Sequence, residues 1–288
     1  MGRGKDPGPP QECRQSDRRE DASHVIDGRL IGQVIGLLLC ALSAIMLIPA
    51  VLDAVAGNAE WRIFLGSSLA TGYLGTSLSF ATRAERVRAP STRDAFLITT
   101  IAWIVLPAMA ALPLWGHGLS YTDAYFEAMS GMTTTGSSVM VGLDGMPPGI
   151  LLWRALLNFI GGIGVVAMAI VLLPFLRIGG MQLFHAESSD KSEKIMPHAT
   201  QLVGRIFAIY AALTTLCAVL FFLFGMTVLD AVCHAMASLA TGGFSTHDAS
   251  FRYFKSAPLD WIAIAFMLAG ALPFTSYVRM LGGDLLAL

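Results

Sequence analysis

Ser120-Tyr-Thr-Asp-Ala-Tyr-Phe-Glu-Ala-Met-Ser-Gly-Met-Thr-Thr-Thr-Gly136-Ser-Ser138 returns later in the chain as Thr227-Val-Leu-Asp-Ala-Val-Cys-His-Ala-Met-Ala-Ser-Leu-Ala-Thr-Gly-Gly243-Phe-Ser245. Superposed without a gap, the two stretches agree at Asp123/Asp230, Ala124/Ala231, Ala128/Ala235, Met129/Met236, Thr134/Thr241, Gly136/Gly243 and Ser138/Ser245. Chance would give about one such identity, so the pair is an internal repeat. Each copy lies between two hydrophobic runs, and a repeat this local points to a repeated site.

The surroundings of the repeat are those of a membrane protein. The chain is 55% hydrophobic and only 14% charged, with a mean hydropathy of +0.63, too apolar for a soluble domain of this length. Net charge is near zero, and no dense Lys/Arg run with interleaved aromatics exists to bind nucleic acid. The cysteines, Cys13, Cys40, Cys217 and Cys233, fall singly, and the histidines make no metal-binding spacing. No metal cofactor is expected. His234 and His247 read as packing or surface residues.

Residues 1–28 are polar and rich in Pro, Gly, Arg and Asp, and read as a disordered tail. Six apolar spans follow: Leu30–Val51, Ile63–Phe80, Ala95–Trp115, Ile150–Leu176, Leu202–Phe224 and Leu259–Val278. Each is about long enough for a ~30 Å hydrocarbon layer. The first is longer than the ~7–15 apolar residues of a signal core, so an uncleaved helix is expected despite Ala54-Val55-Ala56-Gly57. Arg14, Arg18, Arg19 and Arg29, then Arg83, Arg86, Arg88 and Arg93, then Lys191 and Lys194 alternate with connections poor in basic residues. The positive-inside rule places the N-terminus in the cytoplasm and both repeated stretches at the outer face.

Each repeat opens with a helix-start signal, Ser120-x-x-Asp123 and Thr227-x-x-Asp230, and runs for about three mostly apolar turns into Thr/Gly-rich chain. A helix that short does not cross a bilayer. It reads as a re-entrant helix that dips in from outside and returns as irregular backbone lined by protein and water. A dehydrated cation needs a ring of oxygens, which backbone carbonyls supply if the chain adopts conformations open mainly to glycine. The backbones of Thr133, Thr134, Thr135 and Gly136, and of Ala240, Thr241, Gly242 and Gly243, are therefore the candidate ion-binding groups. Glu127, Arg154 and Asn158 are costly in a membrane unless paired. With the helix-start residues Asp123 and Asp230 they are expected to brace the loops and leave the ion to the backbone.

Two other glycine patterns resolve differently. Gly131 to Ser138 has the glycine spacing of a phosphate-binding loop but lacks its lysine, and Gly162-Ile-Gly164 mimics a dinucleotide fingerprint inside a transmembrane span with no strand before it. The latter, like Gly32/Gly36 and Gly72/Gly75, reads as close helix packing. The run Phe221-Phe-Leu-Phe224 reads as lipid-facing bulk.

Four separated motifs carry a resemblance: Phe126 to Gly136, Trp153-Arg-Ala-Leu-Leu-Asn-Phe-Ile-Gly-Gly-Ile-Gly164, Gly179-Gly-Met-Gln-Leu-Phe184 and Ala240-Thr-Gly-Gly-Phe-Ser-Thr246. In order and spacing they resemble the membrane subunit of bacterial Trk-type potassium uptake systems, over roughly Leu30 to Leu288. The resemblance implies an all-α integral membrane fold of the bacterial inner membrane and no enzymatic activity. It divides the chain into a transmembrane hairpin (29–93), a first helix–pore loop–helix unit (94–180), a cytoplasmic loop (181–200) and a second such unit (201–288). It implies potassium as the transported ion with no cofactor, Gly136 and Gly243 as equivalent filter glycines, and a cytosolic nucleotide-binding regulatory subunit meeting the cytoplasmic face near Ser188, Ser189, Lys191, Glu193 and Lys194. The family builds its pore from four units, and this chain carries two. The expectation is a truncated, frameshifted or split form of a subunit, with pairing of two copies as the other way to complete a ring, and an inactive fragment or assembly subunit as the alternative function.

Overall fold

The chain is helical because its apolar runs leave the backbone no other way to satisfy its hydrogen bonds in lipid. The structure, a computed structural model, describes residues 27–83, 91–176 and 195–281. Residues 1–26 of the polar tail, Arg86 and Arg88, the Gly179–Phe184 motif, the polar loop around Lys191 and the last residues, 282–288, lie outside the described residues; Asp27 and Gly28, expected in the tail, instead open the first helix.

In chain order the helices are α1 (Gly28–Val55), α2 (Trp61–Ala81), α3 (Thr92–Ala110), α4 (Leu112–Gly116), α5 (Tyr121–Met132), α6 (Pro148–Leu176), α7 (Ile195–Leu223), α8 (Val228–Leu239), α9 (Ala257–Ala271) and α10 (Phe274–Leu281), with 3-10 turns at Leu143–Gly145 and Ser250–Tyr253. Four of the described spans are long and apolar enough to cross a membrane, and five if the bent pair α9–α10 counts as one. This is an all-α integral membrane protein. Large side chains such as Leu37, Ile48, Val51, Leu69, Leu74 and Leu268 stand exposed on its flanks, as a lipid-facing surface requires.

Helices α1 and α2 form a tight hairpin. A Cβ on Gly36 would lie 2.8 Å from the Gly75 carbonyl oxygen, and one on Gly75 would lie 2.8 Å from that of Gly36. Bare backbones meet there, and any larger residue would separate the helices. Ser43 and Ser68 add reciprocal bonds, each hydroxyl donating to the other's carbonyl at 2.8 Å. The sequence of α2, with its buried Ser67, Ser68 and Thr71, is the one span of the six that lacks the apolar content of a free-standing membrane helix. Its polar side chains are absorbed by α1.

The hairpin joins the rest through α6. Trp153, fully buried, donates from Nε1 to the Ala110 carbonyl of α3 at 3.0 Å and meets Phe64 of α2 edge-on at 6.2 Å. At the other end of the hairpin Asp27 caps α1, while Ser91 and Asp94 form a capping box on α3. The Asp27 amide donates to Asp94, so the two helix starts are fastened together.

Two expectations are corrected. The last span is not straight: α9 and α10 meet at 87° across Leu272-Pro273. Pro273 supplies no N–H for the ladder and drives Leu272 to an extended conformation, ψ 146°. Likewise Phe222, Leu223 and Phe224 are exposed, but Phe221 is fully buried against Phe251 in the core between α7, α8 and α9.

Candidate functional site: two repeated loops tied to one helix

The two repeated stretches fold alike down to single hydrogen bonds. Ser120 caps α5 by accepting from the Asp123 amide, and Thr227 caps α8 by accepting from that of Asp230. Both helices have 12 residues. Each then unwinds through the same turn: the Thr134 and Thr241 amides donate to Gly131 and Ser238 at 3.1 Å, and those of Thr135 and Gly242 donate to Ser130 and Ala237 at 2.9 Å.

Backbone handedness repeats too. Thr134 (φ 53°) and Gly136 (φ 79°) are left-handed, as are Thr241 (φ 52°) and Gly243 (φ 80°), whereas Thr135 and Gly242 between them are not. A left-handed β-branched threonine is a strained conformation, worth about 1–3 kcal/mol, and persists only where its surroundings enforce it. Alternating hand reverses every second peptide plane, which turns successive carbonyls toward one side of the strand. That is the geometry a cation-coordinating row of oxygens requires. The two loops also touch. A Cβ on Gly136 would collide with the Gly242 carbonyl oxygen.

Helix α6 holds both loops through two side chains one turn apart. Arg154, 2% exposed, donates from Nε to Glu127 Oε1 on α5 at 2.8 Å, from Nη2 to Ser138 at 3.0 Å, and from Nη1 across to the Ser245 carbonyl of the other loop at 2.8 Å. Its guanidinium also lies 4.4 Å from the centre of the Phe244 ring. Glu127 is fully buried, and its second oxygen accepts from the Val139 amide at 3.0 Å. Asn158, with its amide assigned from the surrounding hydrogen-bond network, donates to Gly131 of the first loop at 2.9 Å and accepts from the Phe244 amide of the second at 3.2 Å. A Cβ on Gly242 would collide with this side chain at 2.5 Å.

The ungapped repeat pairs Glu127 with His234, a difference of residue with a likeness of role. The Ser138 hydroxyl donates to Glu127 at 2.8 Å, and the Ser245 hydroxyl lies 2.9 Å from His234 Nε2. Both serines also accept an amide two residues on, from Met140 and from His247, at 3.1 Å. His234 Nδ1 faces the Asp230 carbonyl at 2.8 Å, so that nitrogen carries the proton and Nε2 accepts from Ser245. Asp230, nearly buried, accepts from the Thr246 hydroxyl at 2.6 Å, while Asp123 is exposed and bonds the Ser120 hydroxyl at 2.7 Å. His234 and the two serines are thus part of the site, although only the repeat alignment pointed to them.

A further pair escaped the ungapped match. A Cβ on Gly161 of α6 would meet the Met132 carbonyl oxygen at the end of α5, and one on Gly270 of α9 would meet that of Leu239, the residue equivalent to Met132, at the end of α8. Each short helix therefore rests its last carbonyl on a bare patch of the long helix that follows it.

Residues 62–282 match the TrkH family, described as "Cation transport protein". The chain is 40% identical over 259 residues to the Trk system potassium uptake protein TrkI of Halomonas elongata, covering 89% of this chain and 52% of that protein. It is 36% identical to the Escherichia coli Trk system potassium uptake protein TrkH, covering 88% of this chain and 54% of that one. The crystal structure of the potassium transporter TrkH from Vibrio parahaemolyticus superposes with a TM-score of 0.80 at 36% identity, over 89% of this chain and 52% of the other. The chain spans about half the length of these relatives.

Proposed function

Since the chain belongs to the TrkH family of cation transport proteins, we propose that it supplies two walls of a potassium-selective pore for inward transport across the bacterial inner membrane. The carrying observation is the twofold left-handed alternation at Thr134/Gly136 and Thr241/Gly243 on two touching loops. The backbones of Thr133 to Gly136 and of Ala240 to Gly243 coordinate the ion. Asp123, Glu127, Arg154, Asn158 and Asp230 act as loop support, a role in keeping with side chains spent on holding backbone. Coordination and release are the whole of the chemistry, with no bond made and no cofactor called for.

A dehydrated cation requires more oxygens than two loops provide, so the complete activity belongs to an assembly that adds further pore-loop walls. Within this reading the hairpin (29–93) flanks the units 94–180 and 201–288, the N-terminus is cytoplasmic and the loops open outward, in accord with the distribution of basic residues. The loop 181–200 then lies on the face where a cytosolic nucleotide-binding regulatory subunit binds. The test is cation flux into vesicles holding the complete assembly: potassium uptake is expected, and Gly243→Ser is expected to admit sodium. Absence of potassium flux, or unaltered selectivity in Gly243→Ser, refutes the reading.

A further inference from the structure

Helix α6 fastens the two loops near their turns, but a strand held at one end is free to swing at the other. The exit segments, residues 137–144 and 244–249, carry a second and separate set of ties. The Asp248 carboxylate, on the second segment, accepts from the Gly142 amide of the first with both oxygens at 3.0 Å, and Oδ1 also accepts from the Leu143 amide at 3.2 Å. Gly142 is left-handed, φ 77°, which turns those two amides toward one acceptor. In the opposite sense Asp144, on the first segment, reaches His247 Nδ1 of the second. The His247 ring is stacked on Tyr253 at 3.5 Å and 9°, with Nε2 3.3 Å from Asp230 at the start of α8.

Each segment therefore contributes one carboxylate to the other, residues 142 to 144 exchanging with residues 247 and 248. We propose that this reciprocal clasp makes Asp248 and His247 positioning residues for ion selectivity, by fixing the separation of the two carbonyl rows at the ends that α6 does not reach. The inference rests on the potassium-pore reading of the loops. Its physical content is that discrimination between potassium and sodium depends on how firmly carbonyls are kept from closing on the smaller ion, and a strand pinned at both ends closes less. The clasp touches no ion. It acts through Gly136 and Gly243, each reached along a few residues of chain.

Two measurements separate the clasp from the function it serves. Amide hydrogen exchange on the 288-residue chain reads the clasp directly and needs no transport. Asp248→Ala is expected to speed exchange across residues 142–146 by roughly tenfold, the loss set by one or two charge-assisted hydrogen bonds, while Asp248→Asn, which keeps an acceptor oxygen, stays near the parent rate. Ion flux in the complete assembly reads the consequence. The sodium-to-potassium ratio is expected to rise roughly fivefold in Asp248→Ala, a coupling of ordinary size, and to be restored in Asp248→Asn. Unchanged exchange in Asp248→Ala overturns the clasp. Faster exchange with an unchanged ratio overturns the positioning role. A parent assembly that passes no potassium ends that role too, and the exchange result then identifies the pore reading as the part that failed.

Discussion

Replacing Arg154 by glutamine removes the guanidinium that pairs with Glu127's charge and weakens the tie to the second loop. The side chains of the pair are 2% and 0% exposed and their contact is 2.8 Å, so water does not screen what remains. Breaking one partner of such a pair costs about 3–5 kcal/mol, chiefly because the other charge stays buried alone. Arg154 also gives up its bond to the Ser245 carbonyl or to Ser138, since a glutamine amide cannot serve both and Glu127 together. Arg154→Gln is therefore expected to lose at least about 4 kcal/mol, a large share of a marginally stable fold. Glu127→Gln leaves the guanidinium two oxygen partners and is expected to lose about 3 kcal/mol, toward the lower bound for a broken pair. The double variant puts two neutral amides face to face, and its loss is expected to fall short of the sum by about 2 kcal/mol or more. Tryptophan fluorescence during detergent unfolding of the four proteins gives the cycle. Additivity within about 0.5 kcal/mol would show the pair to be energetically independent and would refute the bracing argument.

Alanine at the two left-handed glycines, Gly136 and Gly243, should act unequally. At Gly136 the new methyl carbon collides with the Gly242 carbonyl oxygen, whereas at Gly243 the nearest neighbour is Gly136 Cα at 3.9 Å; on the proposed function, Gly136→Ala in the complete assembly is expected to abolish potassium flux while Gly243→Ala bears mainly the left-handed penalty of about 1 kcal/mol, and equal effects in a flux assay count against the packing described. Gly270→Ala pushes the end of α8 off α9, and a loss of 1–3 kcal/mol, ~the usual range for overpacking, is expected in thermal melts, with the second loop's amides exchanging faster than the first loop's. The Asp144 carboxyl is held below its ordinary value, first by the hydrogen bond with His247. A depressed folded value means its contribution is complete above the unfolded value of about 3.9 and is lost as pH falls through the lower folded one. Melting temperature should accordingly drop less steeply on acidification from pH 5 to 3 in Asp144→Asn than in the parent, and parallel curves would refute the linkage.

The short helices were legible because their signals are local. Ser120 with Asp123 and Thr227 with Asp230 cap within four residues, and the apolar turns between cap and glycine fix length. The bend at Leu272 was equally local in Pro273, but the apolar count of the last span outweighed one residue. What the sequence does not display is reach across the chain. Arg154 and Ser245 are 91 positions apart, Gly142 and Asp248 are 106, and nothing in spacing selects those partners over others. Chemical equivalence was hidden where residue identity was not kept: Glu127 and His234 do one job with different atoms. Gly161 and Gly270 stand 109 apart in a repeat whose offset is 107, so two extra residues inside the second unit, between its loop and α9, conceal their match.

The position of Arg154 and Asn158 gives the two units unequal standing. Both side chains belong to the helix that closes the first unit, yet each spends a hydrogen bond on the second loop, at the Ser245 carbonyl and the Phe244 amide. The two stretches repeat in sequence and in local fold but not in modularity. A chimera that exchanges the second unit for that of a relative inherits a lock cut for this key, and transplanting the first loop together with α6 carries away the fastening of its neighbour. The smallest part of this protein that can be moved as a whole is the pair of loops with α6 between them.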